Sequence, residues 1–274
     1  MKEQYKRIAM TAENSADAIS RLAEIIKILR KECPWDREQN HESLRTCLLE
    51  ESYEVVDAIN RNDSENLREE LGDVLLQVVF HASLAEEEKQ FDLCDVINEE
   101  CEKMIRRHPH VFLEENLKTI DKVLEKWENI KVKESGQPDN TSRLEKVPRA
   151  LPALIRAKKV QKKAADVGFD WDEVTPALDK VEEEMSELRE ALKSGDGHDR
   201  MEELGDLLFS VVNVARFLKV DPEEALTFTT DKFIRRFAYI EKEAMACGRR
   251  MEDMSLSEMD VLWEQAKLRA CEKA

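Results

Sequence analysis

Four short acidic strings hold the residues of this chain best suited to chemistry. EESYE at 50–54 returns as EEMSE at 183–187, and EELGD at 69–73 returns unchanged at 202–206. Within each string two acids stand three apart, which on a helix places them on neighbouring positions of one face. Carboxylate pairs of this kind on two adjacent helices offer hard oxygen ligands, which suit Mg2+ or Mn2+. The metal-ligand candidates are therefore Glu51, Glu54, Glu70 and Asp73 in the first half, and Glu184, Glu187, Glu203 and Asp206 in the second.

A Glu-rich helix ordinarily presents its acids to solvent. The periodicity argues otherwise here. With Glu51 at zero on a helical wheel, Leu44 falls at about 20°, Leu48 at about 60° and Val55 at about 40°, so Glu51 lies inside the apolar stripe and Glu54 on its edge. From Glu70, Val74 falls at about 40° and Leu67 at about 60°, with Asp73 alongside. Glu184 shares its face with Ala177, Val181 and Leu188, and Glu203 shares its own with Leu207 and Val211. Inward carboxylates cost several kcal/mol each unless compensated, so each group implies a cation, protonation or basic partners. Gly72 and Gly205 lie between the acids of the later pairs, where a missing side chain serves either close approach of another helix or plain packing.

Basic and aromatic residues follow the acids in both halves. Lys103, Arg106 and Arg107, like Lys232, Arg235 and Arg236, share one helical face and form either a clamp for phosphate oxygens or salt bridges to nearby acids. Trp127 with Lys131, and Trp263 with Lys267, supply a base-stacking surface or core. His108 and His110 flank Pro109 and are expected to end a helix rather than bind an ion.

The elements that must position these residues are helices. Gly and Pro number 7 each in 274 residues while 38% are charged, which suits long amphipathic helices and not many-stranded sheets. Apolar periodicity predicts helices over 13–32, 41–61, 64–88, 93–107, 116–134, 149–166, 174–194, 199–218, 221–246 and 255–273. The acidic strings recur at one offset, KMIRR at 103–107 returns as KFIRR at 232–236, WENIK at 127–131 returns as WEQAK at 263–267, and Trp35 is echoed by Trp171. Blocks recurring in order mark a tandem duplication of one helical unit. The stretch 135–148, rich in Ser, Gly, Pro and Asn, reads as a linker between an N-terminal unit, 1–134, and a C-terminal unit, 149–274. The fold class is all-α, two tandem helical bundles.

Charge and cysteine usage exclude several classes. A net charge of −17 repels polyanions, so no nucleic acid polymer and no anionic membrane is expected as partner. Six scattered cysteines without a C-x-x-C pair, the lack of a leader-like N-terminus and the absence of 18 successive apolar residues predict a reduced, cytoplasmic protein. No phosphate-binding glycine loop is present, and the single E-x-x-H pair, Glu38 with His41, has no counterpart in the second half, against di-iron chemistry. A non-catalytic helical interaction protein with acidic faces is the alternative to a metal enzyme.

CPWD at 33–36, RRHPHVF at 106–112 and VGFDW at 167–171, with the E-E-x-x-E and E-x-x-D strings, closely resemble the MazG nucleoside triphosphate pyrophosphohydrolases over most of the chain. The resemblance implies helical bundles that form a homodimer and use Mg2+ to cleave nucleoside triphosphates to the monophosphate and pyrophosphate. It implies that Glu184, Glu187, Glu203 and Asp206 are metal ligands, and that Lys232, Arg236, Trp263 and Lys267 touch the nucleotide. Glu51, Glu54, Glu70, Asp73, Lys103, Arg107, Trp127 and Lys131 are the matching positions in the first copy. Either Glu183 or Glu187 would serve as general base. Lys180, one turn before Glu184, faces the phosphate site, whereas Cys47 stands at the matching place in the first copy. The C-terminal unit is therefore expected to be the stronger hydrolase.

Overall fold

The computed structural model describes residues 5, 8–113, 119–120, 122–123, 126–127, 130, 134, 136, 139–194 and 197–271. Its helices are α1 (Ser15–Glu32), α2 (Pro34–Glu38), α3 (Arg45–Arg61), α4 (Ser64–Glu87), α5 (Leu93–Arg107) and α6 (Pro109–Phe112), then α7 (Asn140–Glu145), α8 (Ala153–Ala165), α9 (Thr175–Ser194), α10 (Gly197–Phe217), α11 (Pro222–Ala246) and α12 (Leu256–Cys271). No strand occurs among the described residues, and the fold is all-α. The helix expected over 116–134 falls mostly outside the described residues.

The chain divides into two compact units, Met1–Glu134 and Ser135–Ala274. In the first, α4 packs against α3, α1 and α5. Ile26, Leu44, Val79, Phe80 and Leu84 form its buried cluster, backed by Ile19, Leu22, Leu76 and Leu93. The α3–α4 connection is short and locally determined. Asn62 takes the left-handed conformation at φ 53°, and the Asp63 side chain accepts from the Glu65 and Asn66 amides to start α4. That turn lays the Glu51 and Glu54 face of α3 beside the Glu70 and Asp73 face of α4.

In the second unit α9 packs along α10, α8 lies against both α10 and α11, and α12 lies against α11. Small side chains close this core: Ala177, Ala191, Ala244 and Ala266 are buried together with Val212 and Ile240. The stretch expected to be a linker carries structure, since Asp139 caps α7 through the Ser142 amide and Val147 is 2% exposed. The histidines behave as expected for a helix end: His108 is the C-cap of α5, its Nδ1 2.6 Å from the Met104 carbonyl, and Pro109 starts α6.

Each unit leaves a broad apolar face uncovered. Leu49, Tyr53, Val56, Ile59, Leu71 and Leu75 are exposed on α3 and α4, and Leu204, Leu208 and Val211 on α10 with Phe233 and Phe237 on α11. Contiguous apolar surface of this kind marks an interaction face.

Helix α12 begins with a reciprocal cap. The Ser255 amide donates to Glu258 Oε2 at 2.8 Å and the Glu258 amide to Ser255 Oγ at 3.3 Å, while Arg249 Nη1 donates to Glu258 Oε1 at 2.6 Å. Arg249 first, then Ser255, holds the Glu258 carboxyl down at about 2. A depressed carboxyl stabilises the fold above its unfolded value of 4.5, and the contribution is lost as pH falls through about 2. Glu258→Gln should therefore lower the thermal midpoint at pH 7, and the gap to the parent chain should close between pH 4.5 and about 2. Ser255→Ala should cost about 1 kcal/mol in denaturant titration.

Candidate metal and nucleotide site

The two acidic pairs of each unit meet. In the first unit Glu51, Glu70 and Asp73 place carboxylate oxygens within 4.8 Å of one another; in the second, Glu184, Glu187 and Glu203 do so. The α3–α4 and α9–α10 pairings bring these acids together across two helices, as the spacing implied. Glu54 and Asp206 stand beside the groups rather than in them. Glu70 at 8% and Glu184 at 5% are the buried acids, whereas Glu54, Glu187 and Asp206 are exposed.

Crowded carboxylates repel, and the ionisation of the group records it. Burial, then the charges of Asp73 and Glu54, pushes the Glu51 carboxyl up. Burial, then the charge of Glu54 and a hydrogen bond with it, pushes Glu70 up. Burial, then Glu187, Glu184 and Asp206, does the same to Glu203. Carboxyls that resist ionisation beside other carboxylates, Glu51 and Glu70 in one unit and Glu203 in the other, are what a divalent cation would relieve. The buried Oε2 of Glu184 has no hydrogen-bond partner, which leaves a hard oxygen free for an ion. The donor set fits a hard divalent cation, which Glu184, Glu187 and Glu203 would hold with Asp206 adjoining.

Lys180 separates the two copies. Its Nζ lies 2.6 Å from Glu184 Oε1 and 2.9 Å from Glu183 Oε1, and these hydrogen bonds raise its pKa, so the amine stays charged. Glu183 is thereby engaged, while Glu187 is exposed within the group. Cys47, a half-buried free thiol, offers no such charge in the first unit.

The basic and aromatic residues form a second cluster in each unit. The Arg236 guanidinium sits 5.4 Å over the Trp263 ring, which lies 5.1 Å from Phe233, and Lys232 Nζ is 5.7 Å from the Phe228 ring. Arg107 repeats the arrangement 5.9 Å over Trp127. Among the described residues, no hydrogen bond or ion pair links Lys232, Arg235, Arg236 or Trp263 to the four acids of the same chain. Lys267 pairs with Glu264, and Lys103 with Glu100. In the first unit Arg106 and Arg107 both donate to Glu134, the latter at 2.7 Å, so a carboxylate of the chain already occupies that arginine pair. Arg236 Nε, by contrast, is buried without a partner. Lys131 lies outside the described residues. Gly72 and Gly205 have nothing within 4 Å of where a Cβ would stand, so no element of the described chain makes use of the gap.

A cavity of about 740 Å3 in the second unit shares Lys180, Glu184 and Asp206 with the acidic group. Its remaining walls include Gln161 of α8, Phe169 and Trp171 of the following loop, and Phe209 and Asn213 of α10. Gly168, at φ +85°, turns the chain after α8, and Arg216 fixes the loop by donating to Asp170 Oδ2 at 2.8 Å. The VGFDW string is thus a turn that holds two exposed aromatic rings beside the acids. Gln161, Phe169 and Asn213 were not among the sequence candidates; the exposure of apolar rings in a Gly-containing turn is the signal that was present.

Residues 39–112 and 173–240 each match the MazG nucleotide pyrophosphohydrolase domain. The chain is 44% identical over 254 residues to a nucleoside triphosphate pyrophosphohydrolase of Escherichia coli (strain K12), covering 91% of this chain and 97% of that protein. It is 44% identical over 249 residues to "Nucleoside triphosphate pyrophosphohydrolase/pyrophosphatase MazG" of Thermotoga maritima, covering 89% and 94%. The crystal structure of a mazG-related protein from Thermotoga maritima aligns with 41% of this chain and 98% of its own, at 34% identity and a TM-score of 0.37. Two domain matches and relatives alike across nearly their whole length place this chain in the MazG family of nucleotide pyrophosphohydrolases.

Proposed function

We propose that this chain cleaves nucleoside triphosphates to the monophosphate and pyrophosphate with Mg2+ or Mn2+, that the C-terminal unit is the stronger site, and that the reaction serves upkeep of the nucleotide pool. The observation that carries the reading is the group Glu184, Glu187 and Glu203 with Lys180 bound to its buried member. When bound, the ion supplies charge that a triphosphate needs beside so many carboxylates and polarises the phosphate oxygens.

The residues of the chain do the rest. Water attacks the α-phosphorus, the bridging bond to the β-phosphate breaks, and pyrophosphate departs. Glu187, in the group and not tied to Lys180, is the better placed of the two base candidates to take the proton of that water, because Glu183 is held at 2.9 Å by the amine. Lys180, kept protonated, is ready to exchange a carboxylate for a phosphate oxygen. Lys232 and Arg236, with Arg235 on the same face, would receive the β- and γ-phosphates, and Trp263 and Lys267 would be further nucleotide contacts.

That no hydrogen bond or ion pair among the described residues ties them to the four acids of the same chain favours a homodimer in which a second copy completes the site. The uncovered faces around Leu204, Leu208 and Phe233 and the open space at Gly205 support that reading. In the first unit, Cys47 in place of the lysine and Glu134 on the arginine pair argue for a weaker site.

Pure protein incubated with a panel of triphosphates should release pyrophosphate only when Mg2+ or Mn2+ is added; orthophosphate as the first product in a 31P spectrum would refute the cleavage position. Glu203→Ala should lower kcat/KM by about 100-fold, whereas Glu70→Ala should stay within a few-fold of the parent, and the reverse order would overturn the assignment of the stronger site. Mg2+ with an uncleavable triphosphate mimic at about 100 times its Kd should add about 2.7 kcal/mol to stability by mass action, and Glu184→Gln should remove most of that protection.

A further inference from the structure

The arginine pair of the first unit is gripped by a carboxylate of its own chain. Arg107 donates to Glu134 Oε2 twice, from Nε at 3.0 Å and from Nη2 at 2.7 Å, and Arg106 Nε donates to Oε1. Both oxygens are taken, in the way planar guanidinium groups hold a carboxylate or a phosphate alike. Arg107 first, then Arg106, holds the Glu134 carboxyl below its ordinary value, so the contact is between full charges. Behind it the Arg107 guanidinium lies 5.9 Å over the Trp127 ring, which meets His108 edge-on at 4.6 Å. His108 is itself fixed as the C-cap of α5.

The second unit keeps the basic face and lacks the carboxylate. KFIRR repeats KMIRR, so Arg235 and Arg236 stand for Arg106 and Arg107. WEQAK repeats WENIK, and three residues past Lys267 the chain has Ala270, where three past Lys131 it has Glu134. An alanine side chain offers no acceptor. Arg236 keeps the stacking, 5.4 Å over Trp263, but its buried Nε has no partner, and among the described residues neither Arg235 nor Arg236 makes an ion pair.

We propose that Glu134 is a tethered competitor for the phosphate oxygens of a triphosphate, and that this position, Glu134 in one unit and Ala270 in the other, determines which unit's arginine pair is open to substrate. This deepens the functional reading above and rests on its assignment of the basic face to phosphates. A competitor on the same chain acts at the effective concentration its tether sets, and a ligand binds only the fraction of molecules in which the pair is free. The occupied pair is therefore a specificity determinant: it reserves phosphate binding for the unit that has Lys180.

Equilibrium dialysis of the full chain against an uncleavable triphosphate mimic with Mg2+ counts the open sites. The count, not turnover, is the readout, because Cys47 still stands in the first unit where the second has Lys180. At a concentration that fills one site per parent chain, Glu134→Ala and Glu134→Gln should each hold two mimics, with the added site at least about tenfold tighter than in the parent. Glu134→Gln keeps the shape of the side chain, so a folding defect in Glu134→Ala does not remove the test. Adding Arg107→Ala to either variant should abolish the second site. One mimic per chain in Glu134→Gln, two in the parent under the same conditions, or a second site that survives Arg107→Ala would each overturn the proposal. A parent that binds none would overturn the functional reading of the second unit, and this proposal would fall with it only if the Glu134 variants bind none as well.

Discussion

Like charges held together at the edge of a hydrophobic core are the constraint around which this molecule is arranged. A carboxylate repays its desolvation only if something answers its charge. In the second unit Lys180 answers part of it, and the unpartnered oxygen of Glu184 marks what is left over. In the first unit no lysine stands at that position, and burial with the neighbouring carboxylates pushes Glu51 and Glu70 toward the protonated state. The helical hairpins exist in a form that keeps the acids together: long, capped, and packed along their whole length rather than crossing at a point.

The duplication makes the chain its own comparison. Two units with the same acidic framework differ at a few inward positions, and each difference has a physical consequence. Cys47 for Lys180 removes a charge, Leu44 for Ala177 and Phe80 for Asn213 turn space into packed core, and Glu134 gives Arg106 and Arg107 an internal partner. The buried cluster of the first unit contains Leu44 and Phe80 at the positions where the second has Ala177 and Asn213. The two copies thus share an acidic framework but differ in what surrounds it.

Much of this was legible in the residues alone, for a reason particular to helices. Side chains three and four apart share a face, so the inward position of Glu51, Glu70, Glu184 and Glu203 could be placed on a wheel, and helix limits such as 64–88 and 93–107 lie within a residue of those observed. What could not be read was contact across elements far apart in sequence. The basic face with Trp263 was legible as a cluster, but not that, among the described residues, no hydrogen bond or ion pair ties it to the four acids of the same chain. The amide of Gln161 looked like an ordinary polar residue on a Lys-rich helix, and only packing against Phe209 leaves its oxygen without a partner. The short helix within 135–148 was hidden by a composition that resembles a linker.

The turn between α3 and α4 also governs which changes of length the protein tolerates. Adding a single residue within α4 ahead of Glu70 would swing Glu70 and Asp73 through about 100° and shift them by about 1.5 Å relative to the turn that starts the helix. Asn62 and Asp63 thus help set where the two acidic pairs meet, and the interval from Glu54 to Glu70 is the same 16 residues as that from Glu187 to Glu203. The short connection between the two acidic helices acts as a ruler.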